Sequence, residues 1–297
     1  MTRHRDAILH ALRPRSGWAL FLILGAALGA CDNGTTGPEQ EAGPPPDLPA
    51  ATSMNADFGL LASGSAQAAQ AQSLSALVAL AEQNAAVAGV GLNFTTAALS
   101  VVVAQAITAL HLVVPAAVFA AAANNTPSFE DDGRWHWRYT ASQGGQLWTA
   151  HIAGVVQGDQ VTWDMRITAP QTNPPLDEFL WYSGVSRVDR TSGTWRFNDI
   201  TQPGNPTEVV RVDWSHESDV LHGVTITVTS GPNVGDVLTA DRNGDNHLVT
   251  WYDASQNEEV EIGWNAATGT GYIIAPHYNG GLRACWDANQ NNTTCTG

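Results

Sequence analysis

From Arg134 onward, apolar and polar residues alternate with a period of two. Val161, Trp163, Met165 and Ile167 interleave with Thr162, Asp164, Arg166 and Thr168. The rhythm returns at Val210, Val212 and Trp214, at Val224, Ile226 and Val228, and at Val260, Ile262 and Trp264. Such alternation predicts half-buried antiparallel strands, one face apolar and the other solvated. Turn residues separate the runs, among them Gly158-Asp159, Ser192-Gly193, Asn243-Gly244 and Asn279-Gly280-Gly281. Their hairpin spacing predicts an up-and-down meander of about ten to twelve short strands. No helical stretch interrupts it, which argues against a parallel βαβ plan.

Residues 57–124 have another character. Between Phe58 and Phe129 the only charged residue is Glu82, and Ala, Gln, Ser and Leu dominate. Good helix formers with few breakers predict helix, interrupted at Gly89–Gly91 and kinked at Pro115. Leu99–Ala123 carries no charge and has the length of a membrane span. Gln105, His111 and Pro115 lie within it and no basic residue flanks it, so a helix buried in protein is the better reading.

A sheet with one apolar face needs cover, and the uncharged helical segment just upstream can supply it. The predicted fold is α+β, mainly β. N-terminal Ala-rich helices pack on a curved antiparallel up-and-down β-meander, a half-barrel or incomplete barrel. Residues 57–124 and 130–297 thereby form one unit.

Composition sharpens this picture in two ways. All eleven tryptophans except Trp18 lie from Trp135 onward, and several fall on the apolar phase of a strand. Enclosed indoles can line a cavity for an apolar or lipid-like ligand, so Trp135, Trp137, Trp163, Trp214 and Trp264 are candidate ligand contacts. Trp181-Tyr182 and Trp251-Tyr252 should each send one ring to either face. The second feature is charge. The chain has a formal net charge of −15, and its 13 basic residues are all Arg. Such a surface repels phosphate backbones, which excludes nucleic acid as a partner.

The N-terminus carries an address. Arg3, Arg5, Arg13 and Arg15 precede the apolar run Trp18–Leu24, and small residues lead to Leu28-Gly29-Ala30-Cys31. This is the three-part plan of a secretory signal. It resembles the signal peptide of bacterial lipoproteins, whose lipobox cysteine is acylated and becomes the first mature residue. Gly29 stands where Ala or Ser is commonest in that family. The resemblance covers residues 1–31 and implies removal of 1–30 and lipidation of Cys31 with palmitate-type chains. It also implies attachment to the inner or outer membrane, facing the periplasm or the exterior. The Pro/Gly-rich stretch 31–56 then reads as a flexible tether. In outline, helices on a partial barrel are similar to the plan of periplasmic lipoprotein carriers and related lipid-binding lipoproteins.

Exported context also suits a disulfide. Cys285 and Cys295 are the only other cysteines, and a bridge between them would close a small loop worth about 2–3 kcal/mol.

Catalytic and metal motifs are weak. Asp241-Arg-Asn-Gly-Asp245 could offer oxygens to calcium, yet Asn246 and Tyr252 stand where Gly and Glu belong, and a hairpin explains the same letters. Asp213, His216, Glu217, Asp219 and His222 cluster in sequence but place His216 opposite Asp213 and Glu217 on a strand. There is no Gly-x-Ser-x-Gly elbow, P-loop or dinucleotide fingerprint. Arg138, Arg166, Arg196 and Arg211 interleave with Asp164, Asp199 and Asp213, which predicts cross-strand ion pairs.

No catalytic residue, metal or cofactor is therefore assigned. The sequence favours a non-enzymatic envelope binding module. A structural or adhesive domain without a small ligand is the alternative, and a carbohydrate-acting or metal-dependent hydrolase using residues near 213–222 is a weaker one.

Overall fold

The computed structural model describes residues 43–54, 56, 58–61, 81–82, 91–101, 119–143, 146–217 and 220–296. The signal segment 1–30, Cys31, the first part of the tether and most of the Ala-rich stretch lie outside these residues.

The alternating region folds as fourteen antiparallel strands in one open sheet, whose spatial order is their order in the sequence. They are β1 (Ser128–Phe129), β2 (Trp135–Gln143), β3 (Gln146–Gln157), β4 (Gln160–Ala169), β5 (Leu176–Arg187), β6 (Ser192–Asn198) and β7 (Glu208–Glu217). There follow β8 (Val220–Val228), β9 (Val237–Asn243), β10 (Asn246–Asp253), β11 (Glu258–Asn265), β12 (Gly271–Ile274), β13 (Ala284–Trp286) and β14 (Asn292–Thr293). The count exceeds the sequence expectation because β1, β13 and β14 are only two or three residues long, too short to show alternation. The suspected calcium loop is a hairpin, turning at Gly244-Asp245 between the paired Asn243 and Asn246.

One face of the sheet is built on tryptophan lying over glycine. Trp163 of β4 stands opposite Gly154 of β3 and Gly184 of β5. Gly184 in turn faces Trp195 of β6, and Gly193 faces Trp214 of β7. At the other end Gly271 of β12 lies between Trp264 of β11 and Trp286 of β13. Directly opposed residues in an antiparallel pair hold their Cβ atoms only about 5 Å apart. An indole can therefore lie across its neighbour only where that neighbour has no side chain. A Cβ on Gly154 would come within 2.5 Å of the Trp163 ring, and one on Gly193 within 2.6 Å of Trp214. Aromatic cover compensates the weakness that glycine brings to a strand.

These indoles belong to one continuous core that also takes in Tyr182, Phe197, Val212, Ile226, Val249, Ile262 and Ile273. Both Trp181 and Tyr182 are buried in it, contrary to the expectation that one ring would point out. The register shifts between Met165 and Arg166, and the resulting bulge places two consecutive β5 side chains on the same side.

A second correction concerns the tether. Pro46 and Pro49 are buried, and Ser53, Met54, Ala56 and Phe58 lie in the interior. The chain is thus fixed to the sheet well before residue 57, partly through the 3-10 turn Ala51–Met54.

The expected ion pairs form with other partners. Asp164 pairs with Arg134 at 2.6 Å, Arg138 with Glu130, and Arg211 with Glu208 at 3.0 Å. Asp213 instead accepts from the Thr194 hydroxyl, and Asp199 from the backbone and hydroxyl of Thr201. Strand register decides this outcome: Arg196 faces Arg211 directly, so neither finds a carboxylate opposite.

Gly154→Ala should destabilise the fold by about 1–3 kcal/mol, the usual cost of overpacking. Trp163 cannot swing aside, because its indole N–H donates to Ser186 Oγ at 2.9 Å. The midpoint of urea unfolding, with an unchanged slope, reads this loss.

Candidate functional site

Among the described residues, two helical stretches meet the tryptophan face. Residues 92–101 are helical and bury Phe94, Ala97, Ala98, Leu99 and Val101 in the core. Phe94 meets Trp286 edge-on with ring centroids 5.6 Å apart. Asn93 fixes this helix to the far end of the sheet. Its side-chain amide donates to Cys285 O at 2.6 Å, its carbonyl oxygen accepts from Tyr278 OH, and its backbone N–H donates to Asn292 Oδ1 at 2.9 Å.

The buried hydroxyls of this helix are satisfied locally. Thr96 donates to Leu92 O at 2.8 Å and Ser100 to Thr96 O at 2.9 Å. Such back-bonding lets a polar-flecked helix sit in an apolar interior. Residues 119–123, also helical, place Phe119 against Trp195 at 5.7 Å and Tyr182 at 6.5 Å. The same Trp195 donates its indole N–H to Ser53 Oγ at 3.0 Å.

The five candidate tryptophans all lie on the covered face but do not form one site. Trp135 is half-buried against Phe129 at 5.4 Å. Trp137, 3% exposed, adjoins Trp163 at 5.9 Å. Trp214 lies beside His216 at 5.0 Å, and three strands separate it from Trp264, which stacks on His247 at 4.7 Å. The indole N–H groups of Trp214 and Trp264 and the hydroxyl of Tyr182 are buried with no partner among the described residues. Burial pushes the Tyr182 phenol pKa well above its usual range. Cys285 and Cys295 are joined, S–S 2.07 Å.

Clefts open beside Trp264 and Trp137. One, of about 550 Å³, is bordered by Trp264, His247, Arg242, Asp241, Asn265 and Tyr272. The other, of about 530 Å³, lies between residues 45–51 and 119–127 and reaches the sheet at Trp137. Phe119, Ala120 and Ala123 form one wall and Trp137 the other, with Pro46 and Leu48 beside them and Asn125 and Arg190 as polar lining. Ser53 and Asn93 were not signalled by any motif. Their role depends on partners 142 and 199 residues away in the chain.

The polar face carries a second constellation, also unsignalled. His136 Nδ1 lies 2.6 Å from His151 Nε2, His136 Nε2 2.9 Å from Asp132 Oδ1, and His151 Nδ1 3.4 Å from Glu178 Oε2. The hydrogen bond from Arg138 holds the Glu130 carboxyl at a pKa of about 2, and that from His136 lowers Asp132. Burial pushes the His151 imidazole below its ordinary value, against the pull of Glu178. Among the described residues no three His, Cys, Asp or Glu side chains are placed to hold a metal ion. Of the sequence cluster near 213–222, Asp213 is engaged by Thr194 and His216 packs on Trp214.

No family model, curated protein or solved structure matches this chain.

Asn93→Leu, close to isosteric, would strip partners from the buried Tyr278 hydroxyl and Cys285 carbonyl. It should cost about 2–3 kcal/mol in thermal or urea unfolding, the scale of buried polar groups left unpaired.

Proposed function

We propose that this chain is a lipid-anchored lipoprotein of the cell envelope. Its β domain is a non-enzymatic binding module that holds an apolar or lipid-like ligand between helix and sheet. The sheet is read as a half-barrel with the Ala-rich helices laid on its tryptophan face.

The observation that carries this reading is the cleft of about 530 Å³ between Phe119, Ala120 and Ala123 on one side and Trp137 on the other. Its volume falls in the range of small-molecule sites, and its lining sets apolar side chains beside Asp47, Asn124, Asn125 and Arg190. Pro46 and Leu48 extend the apolar lining, while Asn125 and Arg190 suit the polar head of an amphiphile.

A structural domain without a small ligand is the second reading. It is favoured by the way the indoles are already occupied, lying over glycines and against Phe94 and Phe119. Native mass spectrometry of residues 32–297 separates the two: a bound mass of lipid size supports the module, and a clean apo mass supports the filled sheet.

Ala123→Phe should fill the cleft from its half-buried rim without touching the core. Binding of a fluorescent fatty acid is then expected to fall at least about tenfold with the unfolding midpoint unchanged. Equal binding by both proteins would remove the ligand from this cleft.

The anchor has its own test. Cys31→Ala should abolish labelling by radioactive palmitate and leave an unprocessed precursor on gels. Two acyl chains contribute about 0.8 kcal/mol per buried methylene, enough for stable attachment. A variant still labelled would refute the lipobox reading.

A further inference from the structure

Three neighbouring strands bring nitrogen-bearing side chains to one end of the sheet. Arg242 of β9 pairs directly with His247 of β10, and His247 with Trp264 of β11. The three therefore stand in a row on the tryptophan face. On the far side of Arg242, β8 contributes His222. Its neighbour Gly223 pairs with Asp241, so strand alternation puts His222 on the Arg242 side. Strands lie about 4.8 Å apart, and both histidines thus flank the guanidinium within reach of one small group.

His222, Arg242, His247 and Trp264 all border the cleft of about 550 Å³. The same four border a second space of about 10 Å³, closed on the core side by Ala240 and Val249. The smaller space has room for about one oxygen atom, the larger for the body of a small molecule.

Arg242 differs from most arginines of the sheet. Arg134, Arg138, Arg187 and Arg211 each find a carboxylate. Arg242 uses only Nε, which donates to Gly244 O at 3.0 Å within its own turn. That bond orients the guanidinium, and its two terminal NH2 groups have no partner among the described residues. Trp264 adds another unused donor: the residue is 3% exposed, and its indole N–H is buried without a partner. His247, also buried, lies flat on this indole, with ring centroids 4.7 Å apart and 12° between the planes.

Unused donors call for an acceptor, and a guanidinium fork matches two oxygens of a phosphate or carboxylate. Donors on several strands suit the tetrahedral oxygens of phosphate better than the flat pair of a carboxylate. A cation is the wrong ligand, because Arg242 stands between the two histidines. Asp241 borders both spaces but turns its carboxylate to the opposite face, where Oδ1 would lie 2.7 Å from a Cβ on Gly223. The net charge of −15 acts from farther away and is screened beyond about 8 Å at physiological ionic strength.

We propose that His222, Arg242, His247 and Trp264 form a binding site for the phosphate group of a small ligand. The Arg242 fork takes two oxygens, and the space beside Trp264 receives a third as acceptor for the indole N–H. The site stands apart from the cleft at Trp137 and does not depend on what that cleft holds.

Titrating the nitrogen-labelled, detergent-solubilised full-length protein with inorganic phosphate tests this. The Trp264 indole N–H signal should shift saturably in the millimolar range, and chloride at equal ionic strength should leave it in place. Arg242→Gln removes the charge and the fork but keeps an amide that can donate to Gly244 O. Its phosphate affinity should fall at least about tenfold, the scale of a lost charge-assisted hydrogen bond. No saturable shift, or an equal response in the variant, overturns the site. Should the variant not fold, the Arg242 Nε–H signal of the wild type decides: movement along the Trp264 curve supports the site, and a signal that stays put overturns it. Two further ligands distinguish the sources of the phosphate. Dihexanoyl phosphatidate binding at least about tenfold more tightly than glycerol 3-phosphate assigns the site to a lipid headgroup, and equal binding assigns it to a soluble phosphate ester.

Discussion

The structure depends on a steric exchange across strands: one residue gives up its side chain so that its neighbour can lay an indole in the space. Trp163 over Gly154, Trp195 over Gly184 and Trp214 over Gly193 repeat this exchange from β3 to β7, and Trp286 over Gly271 repeats it near the other end of the sheet. Each pair covers backbone hydrogen bonds with a large apolar ring and fixes the register of two strands. A slip by one residue would move every indole to the solvent face and every glycine out from under it. The meander is thus specified pair by pair, without any single dominant contact.

The same packing governs what the tryptophans have left to do. An indole already lying on glycine and edged by Phe94 or Phe119 has few free surfaces, which is why the clefts open at Trp137 and Trp264, away from the centre of the face. Polar groups enter the interior where they tie separate parts of the chain together. Ser53 meets an indole of β6, and Asn93 meets β13, β14 and the Tyr278 hydroxyl. In a low-dielectric interior such bonds are costly to leave half-made, so they specify position as well as add stability.

Much of the sheet was legible in the sequence, because period-two alternation and turn residues are local signals. Even the glycine–indole register left a trace: Gly154 and Trp163 stand at equal distances from the turn at Gly158-Asp159, as hairpin partners must. What escaped depends on distant partners. The bulge beside Met165 turns both Trp181 and Tyr182 inward through the pairing of β4 with β5. The Pro-rich stretch near Ser53 looks like a tether until the sheet offers Trp195. The His136–His151 pair comes from diagonal neighbours on β2 and β3, and its carboxylates from a turn and from β5, so no motif spacing announces it.

Strand order equal to sequence order also has a consequence for a chain made from its N-terminus to its C-terminus. Each hairpin can form as soon as it emerges, since its partner is the segment just ahead of it. The helix at 92–101 is different: it emerges early, yet its anchors Tyr278, Cys285, Trp286 and Asn292 come last. Its apolar side must wait through nearly the whole of synthesis, and assembly is completed only when the C-terminal strands arrive to clasp it. A chain of this design would gain from any escort that shields that helix in the interval.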